Sequence, residues 1–210
     1  IPQKTTSCSS MMLANFFLPV FLSHNFKGNV IHATTDCEFS GRSNTLYSKD
    51  ALKDAYDVYG KSKILASDYL LKSKNCHVIR TSIIGPDVNV NGIGLFKWVL
   101  NQSGTINGYT RAFWSGVTTI QLSKIIIEFI NRSSIPTGLI HLTNNSKISK
   151  YDLLTSIKNV FELKNIQIIE YNNYEVDKSF VNTRDDVNLK MPSYFDMILE
   201  MKEWIVKNNY

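Results

Sequence analysis

A tyrosine and a lysine stand four residues apart in the stretch DVYGKSK, Asp57 to Lys63. Residues at that spacing share one face of a helix, one turn from each other. A phenol there sits beside a permanent positive charge, and a nearby cation favours the phenolate and lowers the tyrosine pKa. That suits a tyrosine that hands over or takes up a proton. Pairs at this spacing also decorate solvated helix faces, so Tyr59 and Lys63 need the rest of the chain to give them meaning.

The elements that would position the pair follow from periodicity. A helix is expected from about Asp57 to Lys74, with Ile64, Leu65, Tyr69 and Leu70 recurring at helical spacing. Before it, NVIHATT (Asn29–Thr35) is a β-branched run after a turn, and CEFSGRSNTLYSKDALKD (Cys37–Asp54) is a long polar loop. Loops of that length in compact domains are usually functional. After the helix, CHVIRTSIIG (Cys76–Gly85) reads as a strand ending in a Gly-Pro break. Further helices are expected at Ser9–Asn25 with a kink at Pro19, then at Gly94–Gln102, Thr118–Ser133, Ile148–Phe161 and Pro192–Asn208. Strands are expected at Thr137–Thr143 and Ile166–Tyr171, and Gly104 is read as the start of a turn. Alternating helix and strand predicts an α/β architecture with a parallel sheet.

Bulk properties narrow the function. With 43% hydrophobic and 20% charged residues, the 210-residue chain is globular rather than disordered. Its net charge of +5 comes from scattered lysines and arginines, with no run of like charge, so no nucleic-acid arm is expected. The odd count of three cysteines (Cys8, Cys37, Cys76) shows no metal spacing. Free thiols in a reducing compartment, hence the cytoplasm, are the expectation, with no metal. His32, His77 and His141 lie in or beside strands and read as packing residues. MMLANFFLPVFL (Met11–Leu22) is too short to span a membrane. It lacks the flanks of a signal peptide and reads as a buried helix.

Taken together, VIHATTDCEFSG (Val30–Gly41), DVYGKSK and VIRTSIIGPD (Val78–Asp87) resemble the extended short-chain dehydrogenase/reductases. Within them the chain resembles the dTDP-4-dehydrorhamnose reductase group, the RmlD-like sugar-nucleotide ketoreductases. The later NGYTRAFWSGVTTIQLSKII, ISKYDLL, VNTR and MKEWI are similar to that group's substrate-binding half. The resemblance implies that Thr35 hydrogen-bonds the substrate carbonyl and Tyr59 protonates its oxygen. It implies that Lys63 depresses the Tyr59 pKa and grips the ribose of a nicotinamide cofactor, NADPH or NADH. Ile83, Arg111, Trp114 and Arg184 are implied to hold the nucleotide sugar. Asp36 is expected to order the loop, and Asn15 matches a structural helix asparagine.

The chain departs from that family in two respects, the smaller being Ala66 and Ser67 where the family often shows Gly-Glu. No G-x-G-x-x-G or G-x-x-G-x-x-G is present, and NGIGLF (Asn91–Phe96) has the wrong context. The expectation is therefore a fragment: residues 1–90 as the remaining part of a Rossmann domain, its first strands and cofactor loop absent, and residues 91–210 mainly as a small α/β substrate-binding lobe. The expected activity is NAD(P)H-dependent reduction of the 4-keto group of a nucleotide-linked 4-keto-6-deoxy sugar, for surface glycan synthesis. An epimerase or dehydratase of the same superfamily, or a non-catalytic RmlD-like binding subunit, are the alternatives. The expected partner is a nucleotide sugar, with neither nucleic acid nor membrane, and a homodimer is left open.

Overall fold

The computed structural model describes residues 7–43, 45–87, 92, 94–132, 135–187 and 189–210. Its first helical run joins α1 (Cys8–Met12), a π-helical segment (Leu13–Phe17) and α2 (Leu18–Asn25) without a break. Proline has no N–H to donate and its ring crowds the carbonyl four residues back. The widened turn lies just before Pro19 and relieves that clash by a bulge where the sequence pattern predicts a kink. The greasy run, expected as a buried helix that lacks part of its cover where the first strands are absent, is covered on one side only. Leu13, Phe17 and Phe21 are 64%, 56% and 61% exposed.

The chain continues through β1 (Val30–Thr35), a 3-10 turn (Asp36–Glu38) and the polar loop into α3 (Val58–Leu70). Next come β2 (Cys76–Thr81), β3 (Ile83–Ile84), α4 (Leu95–Leu100), β4 (Gly104–Trp114), β5 (Val117–Thr118) and α5 (Thr119–Asn131). The last elements are β6 (Gly138–His141), β7 (Ile148–Ser149), α6 (Lys150–Val160), β8 (Ile166–Asp177) and α7 (Tyr194–Lys207).

β1, β2 and β6 form a parallel sheet in that order, in register from Val30 opposite Cys76 to Thr35 opposite Thr81. Every residue of the middle strand β2 is buried, as a parallel strand covered on both faces requires. Alternate side chains serve opposite faces. Val78 and Leu139 pack with Leu70 of α3, while Ile79 and Ile140 pack with Ile125 and Phe129 of α5. Each such side chain contributes about 1.5–3 kcal/mol by leaving water. α3 is thereby clamped to the sheet whose C-terminal edge carries Thr35.

A second sheet has the order β7-β4-β8, with β8 parallel and β7 antiparallel to β4. The structure corrects the turn expected at Gly104: an eleven-residue strand starts there. Its two glycines and asparagine hide the strand, and the partner that stabilises it, β8, lies some sixty residues further on. α6 covers this sheet with Leu153, Leu154, Ile157 and Val160, and Ile198 and Met201 of α7 complete the core. Ser149 and Ser193 cap these two helices, accepting from the amides of Asp152 and Asp196. β3 and β5 form a short parallel pair, Ile83 opposite Val117. β6 comes from the later stretch of the chain yet completes the first sheet, so the two stretches interleave. The border drawn near residue 90 lies outside the described residues. Among the described residues, no helix is long and apolar enough to cross a membrane.

Two buried histidines in the first sheet couple its stability to pH. Burial lowers His32 to about 4, and the charge of Lys63 adds to this. Burial lowers His141 to about 3, with the Arg80 charge adding. A histidine in an unfolded chain titrates near 6.5. Below that pH the unfolded chain takes up protons that the folded chain refuses, so stability falls as pH drops from 6.5 through about 4. His32 alone costs about 3 kcal/mol once that descent is complete. Denaturant unfolding at about pH 7.5 and about pH 4.5 should give a lower midpoint in acid, and His32→Gln should narrow the gap. An unchanged gap in the variant would mean that His32 is protonated in the folded chain.

Candidate active site

Thr35 ends β1 and caps the 3-10 turn. Its hydroxyl accepts from the Cys37 amide at 3.1 Å and donates to the Asp36 carboxylate at 3.0 Å. α3 begins opposite it. The Asp57 carboxylate caps this helix by accepting from the Gly60 amide at 2.7 Å. The cap places Tyr59 in the first turn and Lys63 one turn later. Gly60 allows the close approach: a Cβ there would lie 2.3 Å from the Cys37 carbonyl oxygen and 2.5 Å from the Ala55 Cβ. Asn15 donates to the Ser62 hydroxyl at 3.0 Å, and Ser62 donates to the Tyr59 carbonyl at 2.7 Å. The first helical run thus holds α3 between its two chemically interesting residues.

The electrostatics differ from what spacing suggests. The Tyr59 phenol is pushed up from its ordinary value, chiefly by burial, while the adjacent Thr35 hydroxyl pulls it down and Cys37, Asp36 and Asp57 push it up. Lys63 does not reverse that direction. Its ammonium donates to the Ala33 carbonyl at 3.1 Å, and burial lowers its own pKa against the pull of Glu38. Tyr59 is therefore a protonated phenol at neutral pH, able to give a proton rather than take one. Cys37 is also raised, by burial and by Asp36, and stays a thiol.

Beneath the site lies a buried polar knot. Glu38 and Arg80 form an ion pair with both side chains fully buried. The Glu38 carboxylate also accepts from Thr34 at 2.5 Å and from Ser67 of α3 at 2.8 Å. Arg80 donates to His141 Nε2 at 2.7 Å, and His141 Nδ1 donates to the Val181 carbonyl at 2.9 Å. The Arg80 guanidinium also covers the Phe39 ring at 4.8 Å. These bonds tie β1, α3, β2 and β6 together directly under Thr35 and Tyr59.

A cleft of about 470 Å³ opens between the two sheets. Asp36, Cys37, Tyr56, Ser82, Trp114 and Lys150 all border it. Trp114 is 5% exposed and donates to Ser82 Oγ at 2.8 Å. Ile83 is exposed at the start of β3, two residues past Thr81, which pairs with Thr35. So Thr35, Tyr59 and Lys63 come together at the C-terminal edge of the first sheet, with Ile83 following β2 there, while of the five expected residues at this edge only Trp114 borders the cleft, whose wall next to Thr35 is Asp36 and Cys37. Two arginines do not join them. Arg111 is exposed on β4 and ion-paired with Glu175. Arg184 lies at the start of β6, the end of the sheet away from Thr35. It donates from Nε to Asp186 at 2.9 Å and from a terminal nitrogen to the carbonyls of Thr137 and Leu139. Its donors are taken up by the protein itself.

Lys150 is the cleft residue that sequence reading passed over. The available signal was a cation in the first turn of a helix, where the helix dipole favours an anion. Among the described residues, no three His, Cys, Asp or Glu side chains come together as a metal site.

The sequence profile of the RmlD substrate binding domain matches residues 22–179. None of the curated proteins matches the chain. Among solved structures, a dTDP-4-dehydrorhamnose reductase from Bacillus anthracis str. Ames in complex with NADP superposes with a TM-score of 0.78 at 16% identity. The match covers 93% of this chain and 75% of that one. An orthologue from Clostridium acetobutylicum ATCC 824 gives 0.76 at 15% identity over 94% and 75% of the two chains. A dTDP-glucose 4,6-dehydratase from Bacillus anthracis str. Ames in complex with NAD gives 0.72 at 13% identity over 98% and 71%. These likenesses establish a Rossmann-like fold shared by reductase and dehydratase alike.

Proposed function

Because this chain belongs to the RmlD substrate binding domain family, we propose that it reduces the 4-keto group of a nucleotide-linked 4-keto-6-deoxy sugar, using NADPH or NADH. The observation that carries this reading is the convergence of the Thr35 hydroxyl and the Tyr59 phenol at the end of β1, with Lys63 one turn further along α3. Similar structures solved with NADP or NAD support a nicotinamide cofactor.

Reduction of a ketone needs a proton on oxygen and a hydride on carbon. Thr35 presents its hydroxyl to the carbonyl oxygen and orients it. Tyr59 donates the proton, which its raised pKa keeps in place at neutral pH. The two together stabilise the negative charge that develops on that oxygen. The residues present fit a nicotinamide nucleotide: an ammonium and a phenol lie one turn apart, with the exposed, apolar Ile83 at the same sheet edge. One Lys63 N–H is engaged by Ala33, which leaves its others for ribose hydroxyls. The cofactor, when bound, supplies the hydride. Trp114 and Ser82 form the wall against which the sugar ring would lie.

The test is cofactor stoichiometry on the full protein with a nucleotide-linked 4-keto-6-deoxy sugar. One reduced cofactor consumed per sugar converted is the expected result. Conversion without net consumption would replace this reading by an epimerase or dehydratase. Tight association with another enzyme and no turnover would replace it by a binding subunit.

A further inference from the structure

Lys150 occupies an unusual position for a cation. It is the first residue of α6, directly after the Ser149 cap, where the positive end of the helix dipole opposes it. It borders the cleft, and its ammonium lies 5.3 Å from the centre of the Trp114 ring. Among the described residues, no carboxylate comes within ion-pair distance of it and no acceptor takes its hydrogen bonds. Asp36 and Cys37 influence its charge from further away, and the same two residues act on Tyr59. Lys150, Asp36 and Cys37 border one cleft, and Asp36 directly follows Thr35 and accepts from its hydroxyl. Burial disfavours its charge, so a charged partner at this spot has much to offer. Two further cations, Arg42 and Lys178, border the same cleft, as do the carboxylates of Asp36 and Glu175.

We propose that Lys150 is a substrate-binding residue that takes an anionic oxygen of the nucleotide sugar's diphosphate. This rests on the reading of the cleft as a nucleotide-sugar site. The stacking on Trp114 then has a role beyond packing: it steers the ammonium into the cleft while leaving its N–H groups free.

Calorimetric titration of the whole 210-residue chain with uridine, UDP, UDP-glucose and UDP-glucuronate, and with thymidine and dTDP, tests the proposal. If the diphosphate is the group held, UDP or dTDP binds at least about tenfold tighter than its nucleoside, and Lys150→Met abolishes that gain. UDP-glucuronate exceeding UDP-glucose by about tenfold, a difference the variant abolishes, would place a sugar carboxylate at Lys150 and overturn the diphosphate assignment. Lys150→Arg retains the diphosphate gain. Equal affinities for wild type and a folded Lys150→Met overturn the proposal while leaving the nucleotide-sugar reading intact. Should the methionine variant fail to fold, Lys150→Gln replaces it. A wild type that binds UDP and dTDP no tighter than their nucleosides overturns the proposal without any variant. A wild type that binds none of the six ligands overturns the nucleotide-sugar reading as well.

Discussion

Replacing Tyr59 with phenylalanine is expected to lower turnover of the keto sugar by about 10²–10⁴-fold, the usual range for loss of a general acid, with KM little changed. Phenylalanine keeps the ring of a residue that is 37% exposed and removes only the hydroxyl that meets Thr35. The fold and the cleft should survive. Steady-state kinetics on the full protein, with circular dichroism to confirm folding, decides the matter. Wild-type turnover in the variant would remove Tyr59 from the chemistry and with it the central element of the mechanism. The pH profile supplies a second check. Because the phenol is raised above its ordinary value, activity dependent on its proton should persist through neutral pH and decline only above about 10.

Replacing Glu38 with leucine should destabilise the chain by about 3–5 kcal/mol, since it leaves the Arg80 guanidinium buried without its counter-charge. The hydroxyls of Thr34 and Ser67 lose their acceptor at the same time. At about 2–4 °C per kcal/mol for a chain of this size, Tm should fall by roughly 10 °C. The double variant Glu38→Leu/Arg80→Met removes both charges and should recover much of that loss, because the penalty lies in the unpaired charge more than in the missing pair. Denaturant unfolding of the two single variants and the double gives the coupling directly. Strictly additive losses would show that the two charges do not depend on each other. The knot also joins α3 to β1, so a loss of activity in Glu38→Leu is expected to accompany the loss of stability.

Much of the frame was legible because it rests on local signals. Asp57 before an apolar helical pattern announces α3, and the β-branched run VIHATT announces β1. Serine before KYDLLTSIKNV and before YFDMILEMKEWIVK announces α6 and α7. These signals act within one turn or one strand, so a reader of the chain can find them. β4 was not legible, since its two glycines weaken its own propensity and its stability comes from distant β8 and β7. The exposed face of the first helical run was only partly legible for a related reason. Apolar residues state what a helix would bury, but only the neighbours decide whether it does.

The same division runs through the site. The sequence by itself determined that a threonine ends a strand, that a phenol and an ammonium share a helix face, and that the two fall in a familiar order. These follow from periodicity and spacing, which the backbone enforces at short range. Tertiary structure decided the charge state and the company of each group. It partly desolvated the phenol of Tyr59, a residue that stays 37% exposed, and raised its pKa where a lysine at helical spacing predicts a fall, while Lys63 donates to the Ala33 carbonyl. It set Arg184 beside the start of β6 and paired Arg111 with Glu175, while bringing Lys150 from a distant stretch of the chain into one cleft with Asp36 and Cys37. Desolvation and ion pairing depend on what surrounds a side chain in space, and that is set only when distant segments pack.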